Sequence, residues 1–389
     1  MDTYPGKGRV MTSRTDHLAA VHRFAQTQLA PAAAGWDQGS APDPALLRAA
    51  ADLGLFGIEL PVAAGGLGFD FAHKAAVCAS LAAVDFGFAM SIVNTHNAAL
   101  RLHLSAPTLA ARYLPGLLSG QTAACTALTE PDAGTDVAAL QTRATQTPEG
   151  WVLTGQKDWI INARHAGLSI VFAKCGTGDD GAAIGAFAVD LTAPGVTRHA
   201  TEAGFPQTSM GTGGFTLDAV ACPPEALILP PGTAFQSILS EINGARAYVA
   251  AMCCAMLGAA VDTVAAYGQA RTSFGVPLMG HQAWRLALAQ AQTDLAATQA
   301  LTDRAVAAIA GDPAAQLLAA QAKVHAVQTC QRHLPALLHA MGAEGLRPAH
   351  GLTRHLAAVQ SAALTDGAIT PLLERVARLS WPAKHPRKD

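Results

Sequence analysis

The spacing of apolar residues divides the chain into three stretches. Over residues 16–118, alanine-rich segments carry apolar side chains three and four positions apart, which is the period of an amphipathic helix. Over residues 121–231, short β-branched runs such as WVLTG and LSIVFAK alternate with clusters of Gly, Asp and Pro, which predicts strands. Over residues 233–378, long Ala, Leu and Gln segments return with few breakers, which predicts antiparallel helices in a bundle.

We therefore predict an α+β fold with three domains. A chain of 389 residues is long enough for two or three packed layers of core. The predicted domains are an N-terminal helical domain at residues 1–120, a small antiparallel β-barrel or sandwich at residues 121–232, and a C-terminal domain like a four-helix bundle at residues 233–389.

The composition narrows the classes of function. A content of 50% hydrophobic and 14% charged residues is typical of a soluble globular protein. The net charge of -2 gives no basic surface, and 5% aromatic residues leave few rings for base stacking, so we expect no nucleic-acid partner. The longest apolar run, residues 247–261, is too short to span a membrane, and the first twenty residues contain no secretory signal. We expect a cytoplasmic protein without a membrane span.

Cysteine and histidine usage argues against disulfides and metals. The seven cysteines form no CxxC pair, which favours reduced, buried thiols. The fourteen histidines include no HExxH pattern, and most of those near the C-terminus lie among Leu and Ala, so we expect no metal site.

Two segments carry the clearest chemical signal. ALTEPDAGTDVAAL at residues 127–140 is rich in turns, hydroxyls and carboxylates, and GQKDWIINA at residues 155–163 follows it closely. Such segments place small polar groups and exposed backbone N–H groups beside a flat apolar wall. This surface suits a planar heterocycle that needs many hydrogen bonds along its edge.

The two segments, in this order, resemble the signature segments of the flavin-dependent acyl-CoA dehydrogenase family, which also has the order of helical, β and helical domains. The resemblance covers nearly the whole chain and implies FAD as cofactor. It places Trp159 on one face of the flavin ring, whereas the alternative is that Trp159 only fills a strand core. The middle-domain residues that it places at the flavin are Thr126, Leu128, Thr129, Thr135, Trp159 and Ile161, and Thr135 also contacts the thioester substrate.

A third segment, RTSFGVPLMGHQ at residues 271–282, matches the RxxFGxPxxxxQ pattern of the same family. The resemblance implies that Arg271, Phe274 and Gln282 bind FAD, with Arg271 reaching the pyrophosphate from a neighbouring subunit. A guanidinium suits this role because it pairs two phosphate oxygens at once. We therefore expect a homodimer or homotetramer.

A fourth segment, HAMGAEGL at residues 339–346, lies where the family has a Gly-rich turn against the same pyrophosphate. The resemblance implies that His339 and Gly342 bind FAD. Here Ala343 and Glu344 replace the usual Gly and Asn, and His339 stands where a Gln is common. An acidic Glu344 would repel phosphate unless it pointed to solvent.

The family reaction removes a proton from the α carbon of an acyl thioester while a hydride leaves the β carbon, so a carboxylate must reach the α carbon. Asp366, followed by Gly367, stands where most members carry a Glu followed by Gly, which implies that Asp366 is the base and that Gly367 contacts substrate. Asp is shorter by one methylene, or roughly 1.5 Å. The alternative is an ordinary Asp-Gly turn before a helix that begins at Pro371.

Some relatives carry the base on the central helix, directly before an Arg that orients substrate. That Arg corresponds to Arg246, which we expect to bind substrate, but the preceding residue is Ala245 and cannot take a proton. Glu241 lies one helical turn earlier on the same side and is the second candidate base. The alternative is that Glu241 is a solvated or paired helix residue.

Several departures set this chain apart within the family. Ile161 replaces a Thr whose hydroxyl commonly bonds the flavin, and Ala357-Ala358 replaces a common Arg-Asp pair. Residues 242–260 and 281–291 resemble dehydrogenases of polyketide gene clusters that help make hydroxymalonyl or methoxymalonyl units on an acyl carrier protein. We expect a short polar acyl thioester on a carrier protein or CoA, and a separate electron acceptor. The alternatives are an ordinary short-chain acyl-CoA dehydrogenase, a flavin monooxygenase and a non-catalytic protein.

Overall fold

The computed structural model describes residues 13–36, 43–176, 183–201 and 207–381. Helices form the N-terminal part, where a π-helical turn at Ala25–Leu29 joins the first two. The helices are α1 (Arg14–Phe24), α2 (Ala30–Trp36), α3 (Pro44–Asp52), α4 (Phe71–Ala82), α5 (Phe86–Ser105) and α6 (Pro107–Leu118). Carboxylate and hydroxyl caps begin several of them: Asp70 accepts from the His73 N–H and Asp85 from the Phe88 N–H, which satisfies donors that a helix start leaves unpaired.

The middle part is one eight-stranded sheet with the order β6-β7-β3-β2-β4-β5-β8, and β1 pairs with β4. The strands are β1 (Ala124–Ala127), β2 (Arg143–Thr147), β3 (Gly150–Ile160), β4 (Leu168–Cys175), β5 (Ile184–Asp190), β6 (Val196–Ala200), β7 (Gly213–Cys222) and β8 (Leu227–Leu229). The prediction of a purely antiparallel sheet is wrong in one respect, because β4 pairs in parallel with both β1 and β2.

The C-terminal part is helical again, apart from a two-stranded hairpin. Its elements are α7 (Ala234–Ala270), β9 (Thr272–Ser273), β10 (Val276–Pro277), α8 (Gln282–Ala308), α9 (Ala315–Ala340), α10 (Leu352–Leu364) and α11 (Ile369–Ser380). Helices α7, α8 and α9 pack against one another, and α4 of the N-terminal part packs on α7. The predicted order of helical, β and helical domains is therefore confirmed.

The apolar character of α7 follows from its position. At 37 residues, it is long and apolar enough to cross a membrane by length and composition, and α10 with α11, bent by 48°, passes the same test as a pair. The longest apolar run in the sequence, residues 247–261, covers only part of α7, so the length of that run underestimates the length of the apolar helix. Most of the apolar window of α7 is buried inside the protein, as in the core helix of a bundle. All seven cysteines are free thiols, and six of them are buried.

One buried amide ties the sheet to the helices. Asn162 follows β3 with a φ of 67° and is fully buried. Its Nδ2 donates to the carbonyl oxygens of Ser91 and Ala124 at 2.9 Å each, and its Oδ1 accepts from the Ser91 hydroxyl at 2.6 Å. Because α5, β1 and the end of β3 all meet at this side chain, Asn162 fixes the position of the WIIN segment against α5.

Candidate active site

A strained turn between α10 and α11 forms the chemical centre of the site. Asp366 has a φ of 55° and Gly367 a φ of 108°, both in the region that favours glycine. The Arg246 Nε donates to the Asp366 carbonyl at 3.0 Å. The Lys323 Nζ donates to the Gly367 carbonyl at 2.6 Å and also to the Thr365 carbonyl. Two cations from α7 and α9 therefore hold the turn in its strained conformation.

Both cations are removed from solvent. Lys323 is fully buried, and burial lowers its pKa to about 8, although the charge of Asp366 acts in the opposite direction. Burial also lowers the pKa of Arg246 to about 10, with a smaller effect from Arg375. The Arg246 Nη1 donates to the Asn243 Oδ1 at 2.9 Å. Such buried charges are stable only when hydrogen bonds compensate for lost hydration, and the turn carbonyls supply them.

The Asp366 carboxyl has a buried oxygen without a partner among the described residues. The residue as a whole is half-buried, but its Oδ2 is buried and has no hydrogen-bond partner among the described residues. Burial raises the pKa of Asp366 above its ordinary value, against the opposing charges of Lys323 and Arg246. An oxygen without a partner and with a raised proton affinity can accept a proton from a bound substrate. The structure therefore brings Asp366, Gly367 and Arg246 together, and their roles stay predictions.

The second candidate base has a different environment. Glu241 lies on α7, its side chain is 39% exposed, and its carboxylate pairs with the Arg101 guanidinium of α5. This pairing agrees with the alternative of a paired helix residue, because the carboxylate already has a cationic partner. The role of Glu241 as a base stays a prediction. Ala245, beside Arg246, is 5% exposed and offers no acceptor.

A buried ion pair joins the two signature segments. The Lys157 Nζ of β3 contacts the Glu130 Oε1 at 2.8 Å and donates to the Leu128 carbonyl at 3.0 Å. Glu130 in turn accepts from the backbone N–H groups of Gln141 and Thr142. Although burial alone would raise the pKa of Glu130, the Lys157 charge and these hydrogen bonds hold it below its usual value. The polar residues of the first segment are thereby held next to Trp159.

Trp159 presents its ring to solvent. It has a φ of 60° at an irregularity in the pairing of β3 with β7, and it is 54% exposed. The alternative of a core-filling strand residue therefore does not describe it. Thr126, Leu128 and Thr129, on β1 and directly after it, are half-buried, and Thr135 is exposed.

A second group of predicted cofactor residues lies at one end of the bundle. Arg271 is exposed at the end of α7, and Gln282 is exposed at the start of α8. Phe274, between β9 and β10, is 97% exposed with a φ of 51°. The Trp284 Nε1 donates to the Ala340 carbonyl at 3.1 Å, which joins this end of α8 to the end of α9.

The end of α9 adds two more exposed residues, His339 and Gly342, and Gly342 has a φ of 61°. Glu344, the acidic residue that replaces the usual Asn, has two partners. Its carboxylate contacts the His350 Nε2 at 3.1 Å and the Arg347 Nε at 3.0 Å. The hydrogen bond from His350 is the main reason that the pKa of Glu344 is lowered. Glu344 is thus paired within its own turn, which removes the main objection to a phosphate site there.

Sequence reasoning missed four residues that build the site: Glu130, Lys157, Asn162 and Lys323. Glu130, Lys157 and Asn162 lie inside the two quoted segments, but a polar residue in a turn-rich segment gives no sign that it is buried. Lys323 lies in the apolar pattern of α9, and a lysine at a core position was the available signal. Among the described residues, no three His, Cys, Asp or Glu side chains form a group that could hold a metal ion.

Comparisons with known proteins agree with this architecture. The N-terminal, middle and C-terminal domains of the acyl-CoA dehydrogenase family match residues 14–121, 125–220 and 233–380. The chain therefore belongs to the acyl-CoA dehydrogenase family. The expected fold, family and class of FAD-dependent oxidoreductase are confirmed at this level.

Individual relatives are distant. The mitochondrial short-chain specific acyl-CoA dehydrogenase of Mus musculus is 28% identical over 284 residues, which is 72% of this chain and 69% of that protein. The structure of butyryl-CoA dehydrogenase from Megasphaera elsdenii has a TM-score of 0.89 at 25% identity and covers 98% of this chain and 100% of that one. Glutaryl-CoA dehydrogenase from Mycobacterium smegmatis in complex with FADH2 has a TM-score of 0.88 at 24% identity, with 97% of each chain covered.

We predict that Lys323→Met slows flavin reduction by an acyl thioester at least tenfold without loss of FAD. The substitution removes two hydrogen bonds to the Asp366 turn, and small displacements of a reacting group can cost ~10²-fold in rate. Stopped-flow absorbance measures the rate. Lys174→Met is the matched control, because Lys174 is also a buried lysine but lies on β4. Wild-type rates in Lys323→Met would contradict the assigned role.

Proposed function

We propose that this protein is an FAD-dependent dehydrogenase of an acyl thioester, with Asp366 as the general base. One observation carries the proposal: Asp366 presents a buried carboxyl oxygen without a partner, in a turn held by Arg246 and Lys323. An ordinary Asp-Gly turn before a helix would need neither a buried carboxyl nor two buried cations, because burying charges costs free energy.

The proposed reaction gives each of these residues a role. The Asp366 carboxylate takes the α proton of the thioester, and the electron pair of that C–H bond becomes the α,β double bond. The β carbon releases a hydride, and FAD supplies the acceptor for it. Burial raises the pKa of Asp366, and the charges of Lys323 and Arg246 act against that effect and so favour its ionised form. Bound FAD would take up the two electrons of this hydride, so we also propose a separate electron acceptor.

The exposed residues fit FAD. Trp159 would offer a flat aromatic face to the flavin ring. Thr126 lies on β1, and Leu128, Thr129 and Thr135 lie in the segment that the buried Lys157 binds at the Leu128 carbonyl. Arg271, Phe274, Gln282, His339 and Gly342 would bind the phosphates and the rest of the dinucleotide from a second subunit. A phenylalanine that is 97% exposed next to an exposed arginine supports such a subunit contact. We accordingly propose a homodimer or homotetramer.

We further propose that the substrate is a short polar acyl group on an acyl carrier protein. Asp366 is one methylene shorter than Glu, and Ile161, which packs half-buried against the helical core, has no hydroxyl for the flavin. Both differences alter the site relative to a fatty-acid enzyme. Arg375 of α11 lies near Arg246 and adds positive charge beside the Asp366 turn, which would favour an acidic carrier protein.

Other functions on this fold are less well supported. An ordinary short-chain acyl-CoA dehydrogenase would use the same base. The two functions differ in whether the acyl group is attached to CoA or to a carrier protein. A flavin monooxygenase has no need of a buried base such as Asp366. A non-catalytic protein would need neither the exposed Trp159 ring nor the exposed Arg271. A cytoplasmic location stays a prediction from sequence.

We predict that Asp366→Asn abolishes anaerobic flavin reduction by substrate while FAD stays bound. The amide keeps the size of the carboxyl group but cannot accept a proton, and general bases contribute ~10²–10⁴-fold to rate. Glu241→Gln is the matched substitution and should slow reduction much less, because Glu241 pairs with Arg101. Wild-type rates in both variants would mean that neither carboxylate is the base.

We predict that Arg271→Ala weakens FAD binding in an oligomeric protein. Removing the guanidinium leaves the pyrophosphate without a bidentate partner. FAD affinity is measured by titration of the apoprotein, and subunit number by analytical ultracentrifugation. Arg304→Ala, at an exposed position near the other end of α8, serves as a control. A monomeric holoprotein, or unchanged affinity in Arg271→Ala, would count against binding across subunits.

We predict that single-turnover flavin reduction is faster with a short hydroxyacyl carrier-protein thioester than with butyryl-CoA or octanoyl-CoA. The expectation follows from the shorter base and the positive charge beside the turn. Rapid mixing under anaerobic conditions with each thioester gives the comparison. A saturable fast phase on plain acyl-CoA, with slow reduction by the carrier thioester, would assign the protein to the ordinary acyl-CoA dehydrogenases.

A further inference from the structure

A polar wall lies next to the Asp366 turn, where α4, α5 and α7 meet. It consists of Tyr248 on α7, Asn97 on α5 and Lys74 on α4. The Asn97 Nδ2 donates to the Tyr248 hydroxyl at 3.4 Å, and the Asn97 Oδ1 accepts from the Lys74 Nζ at 3.3 Å. Tyr248 is 3% exposed and Lys74 is 5% exposed, so this wall is an interior feature.

The wall belongs to the neighbourhood of the proposed base. Tyr248 follows Ala245 by three residues, so both side chains lie on the same face of α7. Burial, and next the negative charge of Asp366, raise the pKa of the Tyr248 hydroxyl. Arg246, two residues before Tyr248 on α7, donates from its Nε to the Asp366 carbonyl at 3.0 Å, so the turn and this wall meet the same stretch of α7. An acyl group that reached Asp366 would therefore lie close to this wall.

Part of the wall is explained by structural pairing. The Lys74 ammonium pairs with the Glu59 carboxylate, which also contacts the His96 Nε2 at 3.1 Å. Lys74 lies 4.9 Å from the centroid of the Phe71 ring and 5.9 Å from that of Tyr248. These contacts account for a buried lysine, and they fix the Asn97 amide so that its NH₂ group faces Tyr248.

The ion pairs and ring contacts of Lys74 do not explain why the Tyr248 hydroxyl is buried. Among the hydrogen bonds of the described residues, it accepts one from Asn97 and donates none. A phenylalanine would fill the same volume without burying a hydroxyl whose proton has no acceptor, and leaving such a donor unpaired is costly. One N–H of the Asn97 amide is also left over, because a single one goes to Tyr248. Two donors without an acceptor among the described residues therefore lie together in this wall.

We propose that Tyr248 and Asn97 form a subsite for an oxygen substituent on the acyl chain, one that accepts hydrogen bonds. This inference rests on the proposed dehydrogenase function and specifies its substrate class: an acyl thioester with a hydroxyl or carboxylate oxygen beyond the reacting carbons. An unsubstituted alkyl chain would leave both donors unpaired, and sites built to pair a substrate oxygen discriminate strongly against analogues that lack it.

The test compares two CoA thioesters of equal length, 4-hydroxybutyryl-CoA and pentanoyl-CoA, which differ by a hydroxyl in place of a methyl group. Calorimetry measures affinity and stopped-flow absorbance measures flavin reduction. We expect wild-type holoprotein to prefer the hydroxyl thioester at least tenfold, and Tyr248→Phe and Asn97→Leu each to lose most of that preference. Tyr113→Phe on α6 is the control and should keep it. Succinyl-CoA shows whether a carboxylate oxygen serves better than a hydroxyl.

The outcomes separate the subsite from the proposed function. Equal affinity of wild-type protein for the two thioesters, no binding of the hydroxyl thioester, or an unchanged preference in both wall variants would overturn the subsite. If the predicted affinity ratios appear but neither thioester reduces the flavin, the subsite stands and the dehydrogenase proposal fails. If both thioesters reduce the flavin equally in wild-type and Tyr248→Phe proteins, the dehydrogenase stands and the subsite is wrong.

Discussion

Two buried cations hold the turn at Asp366, and the proposed chemistry depends on this constraint. Lys323 and Arg246 reach the turn from α9 and α7 and bind its carbonyls, so the turn cannot relax to a conformation that suits an ordinary Asp. Burial raises the pKa of Asp366. By linkage, its protonated form favours folding at low pH, and this contribution is lost as pH rises through the raised pKa. An ionised Asp366 at neutral pH therefore costs stability, which is typical of a functional residue.

The sheet supplies the other half of the site through a separate buried pair. Lys157 and Glu130 join the end of β3 to the turn-rich segment, and Asn162 ties the same strand to α5. Trp159 is consequently held at a fixed place although its ring is exposed. The helical bundle positions the base and the sheet positions the aromatic face, so the proposed reaction needs both domains in one arrangement.

The sequence predicted the domain order, because a change in hydrophobic period marks a change from helices to strands directly. It also predicted the meeting of Asp366 with Arg246, 120 residues apart, but only through family resemblance, since periodicity says nothing about distant contacts. It did not predict Lys323 as the partner of the turn, because a single lysine within the apolar face of a helix does not indicate which group it contacts. The parallel pairing of β4 with β1 and β2 was also missed, since strand order depends on packing across the whole sheet.

The pH dependence of anaerobic flavin reduction tests most directly whether Asp366 is the base. The rate should fall on the acid side with an apparent pKa above the ordinary Asp value of 3.8, because the raised pKa governs the fraction of ionised base. Glu241→Gln should keep this profile, and Asp366→Glu should shift it while retaining activity. A wild-type rate that did not change between pH 4 and pH 8, or the same profile in Asp366→Asn, would contradict the account.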